Sequence, residues 1–121
     1  MNFNEHKPIY LQISDLICEK ILNDEYREDE RVPSIRDLGG MLGVNPNTVM
    51  RSFEYLKTID VIYDKRGVGF FVSPGARKVV KSIYKQLFLD EELPLIVKKV
   101  KLLDIETDVL FEHIQKGLQT P

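Results

Sequence analysis

Asn47, Thr48 and Arg51, close together in the middle of the chain, have the types and spacing to do recognition chemistry. An asparagine amide donates and accepts in one plane, matching an adenine edge, and an arginine fork matches the paired acceptors of guanine or clamps a phosphate. Asn47 and Arg51 are therefore the candidate base readers. Lys65 and Arg66 lie further along beside Gly67, and their charges suit long-range contacts to phosphates; a plain charged hairpin tip is the alternative. Nothing comparable points to catalysis. The one cysteine, Cys18, reads as a small packing residue, and His6 and His113 lack clustered acidic or sulfur partners. Asp90-Glu91-Glu92 reads as a solvated helix end, and there is no nucleophile elbow, glycine-rich phosphate loop after a strand or zinc-ligand spacing. No enzyme activity, metal or cofactor is expected.

Asn47, Thr48 and Arg51 need an element to present them, and Val44-Asn45-Pro46-Asn47-Thr48 starts one. It sets an N-capping asparagine before a proline at the first helical position, where a missing N–H costs nothing. This helix is expected to run to about Thr58. Val49, Phe53 and Leu56 would be buried, with Asn47, Thr48, Arg51, Ser52 and Tyr55 turned outward or sideways, Tyr55 mainly as a packing residue. Before it, Ser34 and Asp37 resemble a capping box opening a short helix with Ile35, Leu38, Met41 and Leu42 on its apolar side, and Gly43 should end that helix. Two short helices joined by a tight glycine turn make a helix-turn-helix.

Around this pair, Ile9, Ile13, Leu16, Ile17 and Ile21 give an apolar stripe for a first helix from Pro8 to about Asn23, and residues 23–30 read as a loop. Val61–Lys65 and Phe70–Val72, around a glycine-bearing turn, predict a hairpin or wing. Ser73-Pro74-Gly75 marks the expected boundary between a domain of residues 1–75 and a segment of residues 76–121. That segment carries apolar stripes on three helical stretches, separated by Pro94 and by Asp104-Ile105-Glu106-Thr107. So short a tail cannot cover all those stripes itself, and the same segment of a second chain is the simplest cover.

With 121 residues, 43% hydrophobic and 30% charged, the chain has the composition of an ordinary folded protein. Its net charge of −2 hides a division: residues 1–30 carry −5, residues 31–72 carry +2 and residues 73–121 carry +1. The middle segment can thus face a polyanion although the whole is acidic. A single cysteine allows no internal disulfide and fits a reducing cytoplasm, and neither a leader pattern at Met1–Pro8 nor a membrane-length apolar run is seen.

The ordered set of motifs resembles the GntR family of bacterial transcription factors, in its short YtrA-type branch. The resemblance is carried by Pro8-Ile9-Tyr10-Leu11-Gln12-Ile13, Val32-Pro33-Ser34-Ile35-Arg36-Asp37-Leu38, Leu42-Gly43-Val44-Asn45-Pro46-Asn47-Thr48-Val49, Arg51, and Arg66-Gly67-Val68-Gly69 with Phe71-Val72. It implies a mainly α fold with a small β wing, a winged helix-turn-helix followed by a short helical dimerisation segment. By position it also implies that Arg36 holds a phosphate or a base and that Asn45, Thr48 and Gly67 contact the duplex. The simpler alternatives are a surface pair of Arg36 with Asp37 or Glu54, and a plain helix cap at Asn45. Asp24, Asp29 and Asp60 stand where the family commonly has glycine, and aspartate tolerates left-handed backbone at some cost. Val68 replaces a basic residue frequent in the wing, and Gly39 inside the second helix suits a close helix crossing.

The expected function is sequence-specific regulation of transcription, as a cytoplasmic, homodimeric repressor on an inverted-repeat operator in double-stranded DNA. Whether a small-molecule effector exists is not written in the sequence. The rival reading is a winged-helix protein-interaction module without DNA binding, for which the acidic first thirty residues speak.

Overall fold

A computed structural model describes residues 7–121. The expectations placed on Met1–His6, that no leader pattern is present and that His6 is a poor metal ligand, lie outside these residues. In chain order come α1 (Ile9–Leu22), α2 (Ile35–Leu42), α3 (Pro46–Thr58), β1 (Ile62–Lys65), β2 (Gly69–Val72), α4 (Ala76–Leu87), a π-helical turn (Phe88–Glu92), α5 (Leu93–Leu102) and α6 (Thr107–Gln119). Contacts divide the chain into two compact units, one ending at Ile83 and the other beginning at Tyr84.

The first unit is a winged helix-turn-helix. Ile13, Ile17 and Ile21 recur every fourth residue on α1 and are buried, as are Val49, Phe53 and Leu56 on α3, so the two helices pack stripe against stripe. Two residues of the expected stripe depart from it: Ile9 stands 53% exposed in the first turn of α1, and Leu16 is half-buried. Cys18 is buried among the apolar residues of the same helix. α2 opens at Ser34, whose Oγ accepts the Asp37 N–H at 3.0 Å, and closes at Gly43 in left-handed conformation with φ 67°.

The wing has the two strands that the sequence predicts, and a backbone partner along β2 that it does not. β1 and β2 pair antiparallel with Ile62 opposite Val72. The far edge of β2 is also paired, because the Asp29 N–H donates to the Val72 carbonyl, the Val72 N–H to the Glu30 carbonyl and the Val32 N–H to the Phe70 carbonyl, at 2.7–3.0 Å. Residues 29–32 are held by backbone bonds, which need no side-chain periodicity and so leave no alternation to read. Phe70 meets Phe53 edge-on, ring centroids 4.9 Å apart, tying the wing to α3.

Asp24, Asp29 and Asp60 all have positive φ, at 64°, 63° and 58°. Asp104, between α5 and α6, does the same at 53°. Three sites where the resemblance calls for glycine therefore keep the left-handed turn with a residue whose short polar side chain tolerates it.

α4 begins inside the first unit's core. Ala76 and Val80 are fully buried, so the structural division falls after Ile83, beyond the expected boundary at residues 75 and 76. Pro94 does not interrupt the helical path as expected. Leu87, Glu92 and Leu93 all keep right-handed helical angles, and the π turn before Pro94 lets a residue without an N–H enter a continuing helix. From Tyr84 onward no residue is buried.

Gly39 and Gly40 are neighbours in α2 with opposite demands. A Cβ on Gly39 would lie 3.0 Å from the Val44 carbonyl oxygen and 3.7 Å from the Pro46 Cα, whereas a Cβ on Gly40 would meet nothing within 4 Å. Gly39 thus permits the turn and the start of α3 to close over α2. Gly40→Ala is expected to raise stability by up to about 1 kcal/mol, the helix-propensity difference, and Gly39→Ala to lower it. Thermal melts of the two variants check the opposite signs.

Candidate nucleic-acid interface

The local sequence fixes where α3 begins. The Asn45 Oδ1 accepts the Asn47 N–H at 2.8 Å, and Pro46 occupies the first helical turn. Asn45 is therefore a helix cap, and its side chain is exposed. Asn47 and Thr48 follow in the first turn of α3 and Arg51 in the next, so this helix end presents all of them. They share a shallow depression of about 440 Å³ with Pro8, Ile9 and Tyr10 from the start of α1. Asn47 and Arg51 are exposed and Thr48 is half-buried.

Ser52 does not face outward as expected. It is fully buried, and its Oγ–H donates to the Tyr10 carbonyl at 2.5 Å, pinning α3 to the first turn of α1. The Ser14 Oγ–H donates to the same carbonyl at 2.8 Å. Beside this joint the Arg51 guanidinium carbon stands 4.2 Å from the centroid of the Tyr10 ring. Tyr10 was not among the site residues expected from sequence; its distance from Arg51 along the chain hides a contact that only the docking of α1 on α3 creates. Tyr55 is 37% exposed on α3.

Arg36 is exposed in the first turn of α2. Among the described residues no carboxylate ion-pairs with Arg36, Arg51, Lys65 or Arg66, so the simple surface pair of Arg36 with Asp37 or Glu54 does not form. Lys65, Arg66 and Gly67 lie at the wing tip, apart from the depression. There the Val68 N–H donates to the Lys65 carbonyl at 2.8 Å across a turn that needs the positive φ of Gly67, 79°. Lys65 Nζ reaches 5.4 Å from the Phe71 ring centroid, and Phe71 stacks on Tyr63. At the wing base the Tyr63 hydroxyl donates to Asp29 Oδ1 at 3.1 Å. Desolvation, and then the hydrogen bond to the carboxylate and its charge, raise that phenol above its ordinary value.

This arrangement can lay one helix end in a groove, with further exposed cationic groups on α2 and on the wing. Comparison with known proteins agrees with it. Residues 9–72 match the bacterial regulatory proteins of the gntR family. The chain belongs to that family. Across 93% of its length and 92% of the relative's, this GntR-family chain is 31% identical to the uncharacterized HTH-type transcriptional regulator YhcF of Bacillus subtilis (strain 168). It is 28% identical to the HTH-type transcriptional repressor YtrA of the same organism, over 90% of the chain and 83% of the relative. A putative GntR-family regulator from Bacteroides thetaiotaomicron is 42% identical and superposes with a TM-score of 0.73, covering 92% of this chain and 96% of that one. The GntR-family chain is thus a DNA-binding transcriptional regulator and not an enzyme. No helix among its described residues is long and apolar enough to cross a membrane.

As the cap of α3, Asn45 supports the whole helix end whatever else it touches. Asn45→Ala is expected to cost about 1 kcal/mol of folding stability in the absence of DNA, read as a lowered midpoint in chemical denaturation, whereas Asn47→Ala should leave that midpoint nearly unchanged.

Proposed function

We propose that this regulator is a repressor that binds an inverted-repeat operator as a homodimer joined through residues 76–121. The observation that carries this reading is the lack of any buried residue from Tyr84 onward. Leu95, Leu102, Leu103, Phe111 and Leu118 are 57–81% exposed, and apolar exposure on that scale needs a covering surface. A second copy of the segment supplies one of matching chemistry. A two-fold dimer then sets two copies of α3 on half-sites about one helical turn apart, which is why the operator is an inverted repeat. The repressor role is supported by the name of the YtrA relative. Cytoplasmic residence follows from the same reading, since the ligand is chromosomal DNA.

In this reading Asn47 and Arg51 read base edges, Thr48 and Asn45 contact the duplex beside them, and Arg36 holds a phosphate or base from α2. Lys65, Arg66 and Gly67 follow the backbone from the wing. The exposure of all these groups but the half-buried Thr48 supports these roles, as does the lack, among the described residues, of a carboxylate paired with any of the four cations. Selection of bound duplexes from a random pool should enrich an inverted repeat; an asymmetric single site, or none, overturns the reading. Against that repeat and a scrambled duplex, Arg51→Ala and Asn47→Ala should each remove roughly 1–3 kcal/mol of discrimination. Lys65→Ala should weaken both complexes alike, and gel-shift titrations separate these patterns.

The dimer has its own test. A chain ending after Ile83 keeps Ala76 and Val80 in the core, and so should stay folded, sediment as a monomer and bind the repeat far more weakly because one half-site no longer assists the other. Val100→Asp in the full chain should shift sedimentation the same way. A full-length monomer at micromolar concentration would show that some other partner covers residues 84–121.

A further inference from the structure

We propose that Tyr10 is a specificity-positioning residue: its ring holds the Arg51 guanidinium by the face and leaves the donor edge free for a base. This rests on the reading that Arg51 meets a base edge and adds the group that prepares it. The backbone that carries the ring is itself fixed. Tyr10 sits in the first turn of α1, and its carbonyl accepts hydrogen bonds from Ser52 of α3 at 2.5 Å and from Ser14 at 2.8 Å. A fully buried serine thus ties the residue that carries the ring to the helix that carries the arginine.

The guanidinium carbon lies 4.2 Å from the ring centroid, within the range of a cation–π contact. The choice of partner matters. A carboxylate would engage the in-plane N–H fork that guanine O6 and N7 or a phosphate requires, and would have to be displaced on binding. An aromatic face on which the guanidinium lies flat engages only its plane. Arginine carries about 2 kcal/mol of rotamer entropy, and a side chain already resting on a ring loses less of it when the fork pairs. The same ring lines the depression that also holds Asn47 and Thr48, so it stands at the place where a base edge would enter.

Two measurements on the full-length protein test this. In NMR spectra without DNA, ring current should move the Arg51 side-chain protons upfield; Tyr10→Leu should abolish the displacement and Tyr10→Phe keep it. The second measurement takes the inverted repeat enriched from a random pool and a scrambled duplex of equal composition. Tyr10→Leu should lower the ratio of the two affinities by roughly two- to fivefold, the range of an exposed cation–π contact, and Tyr10→Phe should restore it. In an Arg51→Ala background Tyr10→Leu should change the ratio no further. Melting curves exclude global unfolding, and if Tyr10→Leu fails to fold, the unperturbed protein and Tyr10→Phe still report the ring current. Absence of that displacement, or an equal loss of discrimination with and without Arg51, overturns the proposal. If Arg51→Ala leaves discrimination intact while the ring current persists, the base-reading role of Arg51 has failed instead, and the proposal fails with it.

Discussion

The docking of α1 on α3 is the constraint from which the rest of the DNA-binding unit follows. Two apolar stripes meet there, Ile13, Ile17 and Ile21 against Val49, Phe53 and Leu56. Such burial is nondirectional and would tolerate sliding. The Ser52 hydroxyl on the Tyr10 carbonyl removes that freedom, because a hydrogen bond inside the packed interface holds only at one register. Its net contribution is only about 1 kcal/mol, small beside the apolar burial. What it settles is position: the reading end of α3 is fixed against the first turn of α1, and with it the place of Arg51.

A second constraint acts at the turn. α2 must end and α3 begin within a few residues, and this works only because Gly39 lets the Val44 carbonyl approach, Gly43 takes left-handed backbone, and Asn45 and Pro46 dispose of donors at the new N-terminus. The same economy of backbone recurs at Asp24, Asp29 and Asp60, where the chain reverses in left-handed conformation without glycine. Each costs some strain. The Asp29 turn offsets some of that strain through the Tyr63 hydroxyl, and by delivering residues 29–32 to the edge of β2.

What could be read from sequence divides along a physical line. The start of α3 and the buried faces of α1 and α3 depend on residues within a turn or two of one another, so local chemistry determined them, whereas the left-handed turns at Asp24, Asp29 and Asp60 were legible only through the family resemblance, and the one at Asp104 was not anticipated. The burial of Ser52, the Tyr10 stack beneath Arg51 and the pairing of residues 29–32 with β2 depend on partners some forty residues away, and no local pattern encodes them. Pro94 misled for a related reason. A proline is expected to stop a helix because it lacks one donor, but a single π turn redistributes the bonds around that gap. Pro74-Gly75 is a true local break, but Ala76 and Val80 return the chain to the core just beyond it, so contacts divide the chain only after Ile83.

The two units also differ in how they can be stable. The first has a core of its own, including the start of α4. The unit from Tyr84 to Pro121 has none, and helices of ten to thirteen residues without buried side chains do not offset the entropy of their own ordering in water. Under the proposed association, the surface that covers α5 and α6 supplies the free energy that folds them, so their order and their association are one equilibrium. If the cover is a second copy, that equilibrium depends on protein concentration, while sequence preference remains with the self-sufficient unit that carries α3. Affinity for a two-site operator could then vary through residues 84–121 without any change in which bases are read, because linkage multiplies half-site binding by an effective concentration and leaves each half-site's discrimination unaltered.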